Sequence, residues 1–131
     1  MWRLPNRVLA AVAVGGASGT AARYGLGLLF PGTAASGFPW TTFAVNVSGC
    51  LAIGVLAGTL DRARTPHPLI RPLLGSGFLG GYTTLSTYAD QTRALMLSGR
   101  WSIAAAYVLG TLVASMVSVW FGQRLSRWRT T

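Results

Sequence analysis

The sequence predicts an all-α membrane protein with four transmembrane helices, the third broken near its middle. Three observations carry this reading. Four apolar stretches reach the roughly 20 residues that a bilayer-spanning helix needs. Only 10% of the 131 residues are charged, against roughly 25% in soluble domains. With one exception, the eleven arginines gather near the ends of the apolar stretches, where membrane proteins place them.

The first span runs from Val8 to Leu29. Arg3 and Arg7 precede it, as basic residues precede a signal peptide. The apolar run continues past Arg23 to Leu29, however, which is too long for a signal's hydrophobic region. An uncharged loop rich in Pro, Gly and Ser, Phe30 to Pro39, leads to the second span, Trp40 to Leu60. A polar, proline-rich loop, Asp61 to Pro68, leads to the third, Leu69 to Leu97. Within it, residues 75–88 read Gly-Ser-Gly-Phe-Leu-Gly-Gly-Tyr-Thr-Thr-Leu-Ser-Thr-Tyr. Glycine lowers helix stability and hydroxyls compete for backbone groups, so a break is expected here. Broken backbone survives in lipid only where protein buries it or where it lines a wet or ion-binding cavity. The alternative is that Gly80-Gly81 forms a kink for tight packing. Ser98 to Arg100 is a tight turn, and the fourth span is Trp101 to Leu125. With connections this short, residues 1–131 make one four-helix transmembrane domain. Trp2, Trp40, Trp101 and Trp128 flank the spans as an interfacial aromatic belt does.

Small residues recur every fourth position. The first span has Gly15, Gly19 and Gly27, with Arg23 in the same row. The second has Asn46, Cys50, Gly54 and Gly58, and the fourth has Ala106, Gly110, Ala114 and Ser118. Such faces let helix backbones approach closely in lipid. They serve either to hold one chain together or to join several, and their number favours oligomerisation.

The chemistry on offer is limited. The chain has no Lys and no Glu, and its two acids, Asp61 and Asp90, lie away from span centres. There is no nucleophile–base pair, metal-ligand cluster or phosphate loop, so an enzyme is not expected. The net charge of +9 suits nucleic acid in principle, but arginines at span ends speak for a membrane instead. The single Cys50 excludes an internal disulfide, and His67, between two prolines, reads as a solvated loop residue.

What remains is a set of donors. Arg23 lies about six residues inside the first span, roughly 9 Å from its end at 1.5 Å per residue. It either lines an anion path or snorkels to the interface. Asn46 is mid-span and is either an interhelical hydrogen bond or a pore-lining donor. Tyr107, Thr111, Ser115 and Ser118 share one helical face by their spacing. Each hydroxyl can bond back to the carbonyl four residues earlier, or the row can form a polar track.

Three motifs in order give a resemblance that covers essentially the whole chain. They are Gly15-Gly16-Ala17-Ser18-Gly19-Thr20-Ala21-Ala22-Arg23-Tyr24, Val45-Asn46-Val47-Ser48-Gly49, and Gly77-Phe78-Leu79-Gly80-Gly81-Tyr82-Thr83-Thr84-Leu85-Ser86-Thr87-Tyr88. In these the chain resembles the CrcB, or Fluc, family of fluoride channels. The resemblance implies an antiparallel dimer, one subunit inverted, with two narrow fluoride pores and a central structural Na⁺ that is not transported. It implies that the Na⁺ is held by backbone carbonyls of Gly80 and Thr83. Two phenylalanines of the family's third-helix motif face the anion with their ring edges, the positive part of the quadrupole. This chain departs at both positions. Tyr88 keeps a ring and adds a hydroxyl, and Leu85 offers no ring edge. The expected fluoride path is therefore Asn46, Tyr88, Thr111, Ser115, Leu85, Arg23 and Tyr107. The alternatives are a non-conducting partner subunit of a heterodimeric channel, or a small multidrug-type transporter. The last normally relies on a membrane-embedded acid, which is missing here.

Charge also predicts orientation. An even number of spans puts both termini and the middle loop on one side. That side carries Arg3, Arg7, Arg62, Arg64, Arg71, Arg124, Arg127 and Arg129 against Asp61. The other carries Arg23, Arg93 and Arg100 against Asp90. The bias places both termini in the cytoplasm of a multi-pass plasma-membrane protein. A homodimer of inverted copies needs a chain indifferent to orientation, so a homologous heterodimer partner of opposite bias is favoured over a second copy.

Overall fold

The computed structural model describes residues 5–31 and 37–128. Trp2, Arg3, Arg129 and the middle of the first loop lie outside the described residues. Every regular element among those described is helical: α1 (Asn6–Leu29), α2 (Trp40–Leu60), a π-helical segment (Arg71–Leu79), α3 (Gly80–Tyr82), α4 (Ser86–Leu97) and α5 (Trp101–Trp128). By length and hydropathy, α2 and α5 are the two that qualify outright as membrane-crossing helices. α1 has 24 residues, a length of about 36 Å.

Local chemistry sets the boundaries. α1 follows Pro5, whose fixed φ suits a helix start and whose carbonyl accepts from the Val8 N–H at 2.8 Å. It stops at Phe30, ahead of Pro31, which cannot donate to continue the ladder. α2 likewise starts directly after Pro39. α4 ends through Gly99, whose φ of +76° is left-handed. The Arg100 N–H then reaches the Leu95 carbonyl at 2.9 Å and the Gly99 N–H reaches Met96 at 3.0 Å. This pairing is the Schellman stop, and only glycine enters it without strain. The third stretch is the irregular one. Its first nine residues, with Pro72, Gly75 and Gly77, wind as a π-helix rather than an α-helix. Most π-helices are single-turn bulges, often at functional sites. After Tyr82 the chain leaves the helix: Thr83 is extended, with ψ 157°. It re-enters at Ser86.

Two glycine seams hold the chain together. α2 lies on α5 so closely that a Cβ at Gly54 would strike the Val119 carbonyl, and one at Gly122 would strike the Leu51 carbonyl. α1 lies on the third stretch in the same way: Gly15 abuts the Leu73 carbonyl, Gly19 the Phe78 carbonyl, and Gly81 the Gly16 carbonyl. The small-residue rows of the first and second spans are thus largely consumed inside one chain. Gly27 and Gly110, by contrast, have open space beside them. The apolar core is small, with Leu95, Ala104 and Tyr107 packed against Phe38, Phe43, Tyr88 and Ile103. Large apolar side chains point outward instead, among them Leu109, Leu112, Val113, Met116 and Val117 of α5. Lipid tails are as apolar as leucine, so such a surface fits a bilayer. Trp40, Trp101 and Trp128 are all exposed at helix ends. Arg71 and Asp61 pair at 3.2 Å in the open, a contact that contributes little.

Replacing Gly54 with valine tests the α2–α5 seam. The colliding atom is backbone and cannot swing aside, so Gly54→Val should cost about 2 kcal/mol or more. The loss is read from thermal unfolding in detergent.

Candidate functional site

The departure from helix at residues 83–85 organises everything around it. A helix interrupted inside protein leaves amides and carbonyls without their usual partners. Here side chains take them up. The Thr84 N–H donates to Asn46 Oδ1 at 2.9 Å, and Asn46 Nδ2 donates back to the Thr84 carbonyl at 3.0 Å. Asn46 is buried on α2, and its amide is matched end to end with one backbone residue, as a neighbouring strand would be. The Thr87 N–H goes to Thr84 Oγ1 at 3.2 Å. Thr84 Oγ1 in turn donates to Thr87 Oγ1 at 3.1 Å. From α1, Arg23 Nε donates to the Gly81 carbonyl at 3.2 Å and Thr20 Oγ1 to the same oxygen at 3.4 Å. Arg23 Nη1 continues to Thr87 Oγ1 at 3.4 Å.

These diversions free specific oxygens. In an unbroken helix the Thr84 N–H would close on the Gly80 carbonyl and the Thr87 N–H on Thr83. Both amides are engaged elsewhere. Gly80 is exposed on the outside of the chain, and Thr83 ties its own N–H and Oγ1 to the Leu79 carbonyl at 3.0 and 2.9 Å.

Two cavities flank the break, and Thr84 lines both. The first, of about 430 Å³, includes Thr20, Arg23, Thr42, Thr87 and Gln91 in its wall. Here the Arg23 guanidinium points toward the break. The second is a groove of about 260 Å³ lined by Asn46, Thr83, Leu85, Tyr88, Thr111 and Ser115, with Leu112. Among the described residues, Thr111 Oγ1 is the one buried side-chain polar atom without a hydrogen-bond partner. Asn46 Nδ2 carries two hydrogens, of which the Thr84 carbonyl uses one. Tyr88 spends its hydroxyl hydrogen on the Val108 carbonyl at 3.0 Å. Leu85 is 78% exposed at the rim. No grouping of three or more His, Cys, Asp or Glu occurs among the described residues.

Five of the residues singled out for a fluoride path, Asn46, Leu85, Tyr88, Thr111 and Ser115, therefore meet in one groove. Arg23 stands in the other cavity. Tyr107 lines neither: it is wholly buried, its hydroxyl donates to Gln91 Oε1 at 2.9 Å, and its ring packs on Phe38 and Tyr88. Its place on the helical row turns it into the core at the level where α4 crosses α5. Thr84, Thr87 and Gln91 were not singled out from the sequence. Their signal was the hydroxyl run itself, with Gln91 one helical turn after Thr87.

The chain matches the family described as "CrcB-like protein, Camphor Resistance (CrcB)" over residues 10–123. The chain belongs to this family. It is 46% identical to "Fluoride-specific ion channel FluC 1" of Streptomyces coelicolor, with 98% of this chain and 85% of that protein covered. It is 42% identical to "Fluoride-specific ion channel FluC 2" of Nocardia farcinica, covering 97% and 90%. It is 43% identical to "Fluoride-specific ion channel FluC" of Solibacter usitatus, covering 88% and 95%. The family read from the three motifs is thus the one to which the chain belongs, and these matched proteins are named as channels.

An unpartnered buried hydroxyl is a stability cost that packing alone would remove. Thr111→Val should leave the thermal unfolding midpoint unchanged or raise it, although a buried polar side chain is usually costly to delete.

Proposed function

We propose that this CrcB-family chain is a subunit of a passive, fluoride-specific channel, and not an enzyme. The observation that carries the reading is the groove beside the break. It offers an unpartnered Thr111 hydroxyl, a spare Asn46 N–H and Ser115 in a wall without a carboxylate. Fluoride is small and holds its water tightly, so a path must replace that shell with donors. The Arg23 cavity across Thr84 supplies a cationic vestibule that draws anions in. Passive export from the cytoplasm would lower fluoride's toxicity.

The third membrane span is, in this proposal, a single crossing interrupted at residues 83–85. It carries a structural Na⁺ that is not transported. Hard cations choose oxygen, and the Gly80 and Thr83 carbonyls fit, because their helical amide partners are engaged elsewhere. Bound there, the ion would neutralise the negative ends of the two carbonyls. Gly80 faces outward, so an inverted second subunit could bring two further oxygens. Leu85 at the groove rim leaves room for an aromatic edge from that subunit. Together with the arginine bias, this favours a homologous partner over a second copy. Both termini then lie in the cytoplasm of the plasma membrane.

Fluoride efflux from liposomes carrying the chain and its partner tests the channel. Fluoride should pass without a proton gradient and chloride should be excluded. Thr111→Val should slow efflux about tenfold or more, the worth of one hydrogen bond to an ion. Flux that tracked a proton gradient would instead favour a transporter.

Orientation is tested separately. On a Cys50→Ser background, single cysteines near each terminus should label from the cytoplasmic side only. If the chain expressed alone labels on both faces and conducts fluoride, the partner is a second copy.

A further inference from the structure

We propose that Asn46 is a positioning residue for the cation site, acting through the backbone of Thr84, with the Thr84 hydroxyl as its second arm. The inference rests on the reading that the Gly80 and Thr83 carbonyls hold a cation. The argument is one of hydrogen-bond competition. The Thr84 N–H has two candidate acceptors, the Gly80 carbonyl of a continued helix and Asn46 Oδ1. It takes Asn46, at 2.9 Å. The Thr87 N–H likewise has the Thr83 carbonyl or Thr84 Oγ1, and takes the hydroxyl at 3.2 Å. Each diversion releases one of the two carbonyls in question. Asn46 also holds the Thr84 carbonyl at 3.0 Å, which fixes the peptide plane on both sides and keeps Thr83 extended.

The Thr84 N–H lies in a largely buried setting. Asn46 and Thr84 are both nine-tenths buried, and Val45 and Gly49 beside Asn46 on α2 are buried too. A buried amide without an acceptor is costly. If Asn46 is replaced by a residue with no acceptor, the nearest repair is to return the amide to the Gly80 carbonyl. That repair would close one oxygen of the site and draw Thr83 back toward helical backbone. Loss of the Thr84 hydroxyl would return the Thr87 amide to the Thr83 carbonyl and close the other. Asn46 thus acts on the cation without touching it, whatever it also donates into the groove.

The test measures sodium dependence rather than flux. The full-length protein, reconstituted with its partner, is titrated with NaCl against N-methylglucamine chloride at constant ionic strength, and its unfolding midpoint is followed. Ligand linkage makes the midpoint rise with the logarithm of Na⁺ concentration once that exceeds the dissociation constant, so the concentration at which the rise sets in reports affinity. Asn46→Leu should shift that concentration upward about tenfold or more, the scale seen when the hydrogen-bond partners that orient a metal's ligands are removed. Thr84→Val, the smaller change and the safeguard should Asn46→Leu fail to fold, should do the same. Thr84→Ser, which keeps the hydroxyl, should stay close to the parent. A merely structural role would lower the midpoint equally at every Na⁺ concentration and leave the onset concentration unmoved. That result in Asn46→Leu or Thr84→Val overturns the proposal while the cation site stands. A parent protein that conducts fluoride yet shows no response to Na⁺ overturns the cation site and this proposal with it.

Discussion

Backbone that leaves a helix among packed helices must find new hydrogen-bond partners, and the region around residues 83–85 is arranged to meet that demand. Three elements contribute. α2 supplies the Asn46 amide, α1 supplies Arg23 and Thr20, and the interrupted stretch supplies its own hydroxyls at Thr84 and Thr87. The result is that amides are satisfied and selected carbonyls are spared. Oxygens are left open here where hydrogen bonds fail to close, beside a groove whose wall holds no acidic side chain.

The glycine seams are the other half of the arrangement. Arg23 reaches the Gly81 carbonyl because α1 lies with its backbone against the third stretch at Gly15 and Gly19. Asn46 reaches Thr84 because the same approach is made at Gly49, where a Cβ would strike the Thr83 side chain. Larger residues at these positions would push the donors away from the break. Close packing in this chain is therefore what places polar groups, more than what builds an apolar core. Among the described residues, Leu95, Ala104 and Tyr107 form one small cluster, while buried Val45 lies next to Asn46 on α2.

Much of this was readable from residue patterns. The second span, Trp40 to Leu60, coincides with α2, and the glycine-hydroxyl run marked where helix gives way. Prolines and Gly99 announced the loops. The π winding of Arg71–Leu79 was not readable, because hydrophobic periodicity over nine residues does not separate one wide turn from another. The roles of the donors were only half readable. Spacing put Tyr107, Thr111 and Ser115 on one face, yet a helical face spans both core and groove. Only the crossing of α4 over α5 decides that Tyr107 is sealed while Thr111 is left with an unused hydroxyl. The role of Thr84 is hidden in the sequence for a different reason. Its importance lies in its main chain and its position, and neither is visible in the letter that names it.

Thr84 is the wall common to both cavities. Its peptide is pinned from α2 and its hydroxyl is tied to Thr87 on two counts. A partition held at so many points has no hinge. It stands as a fixed wall, whose shape is set when the chain folds, with no swinging door at this level. Any opening and closing of a route between the two chambers would have to be arranged at their mouths.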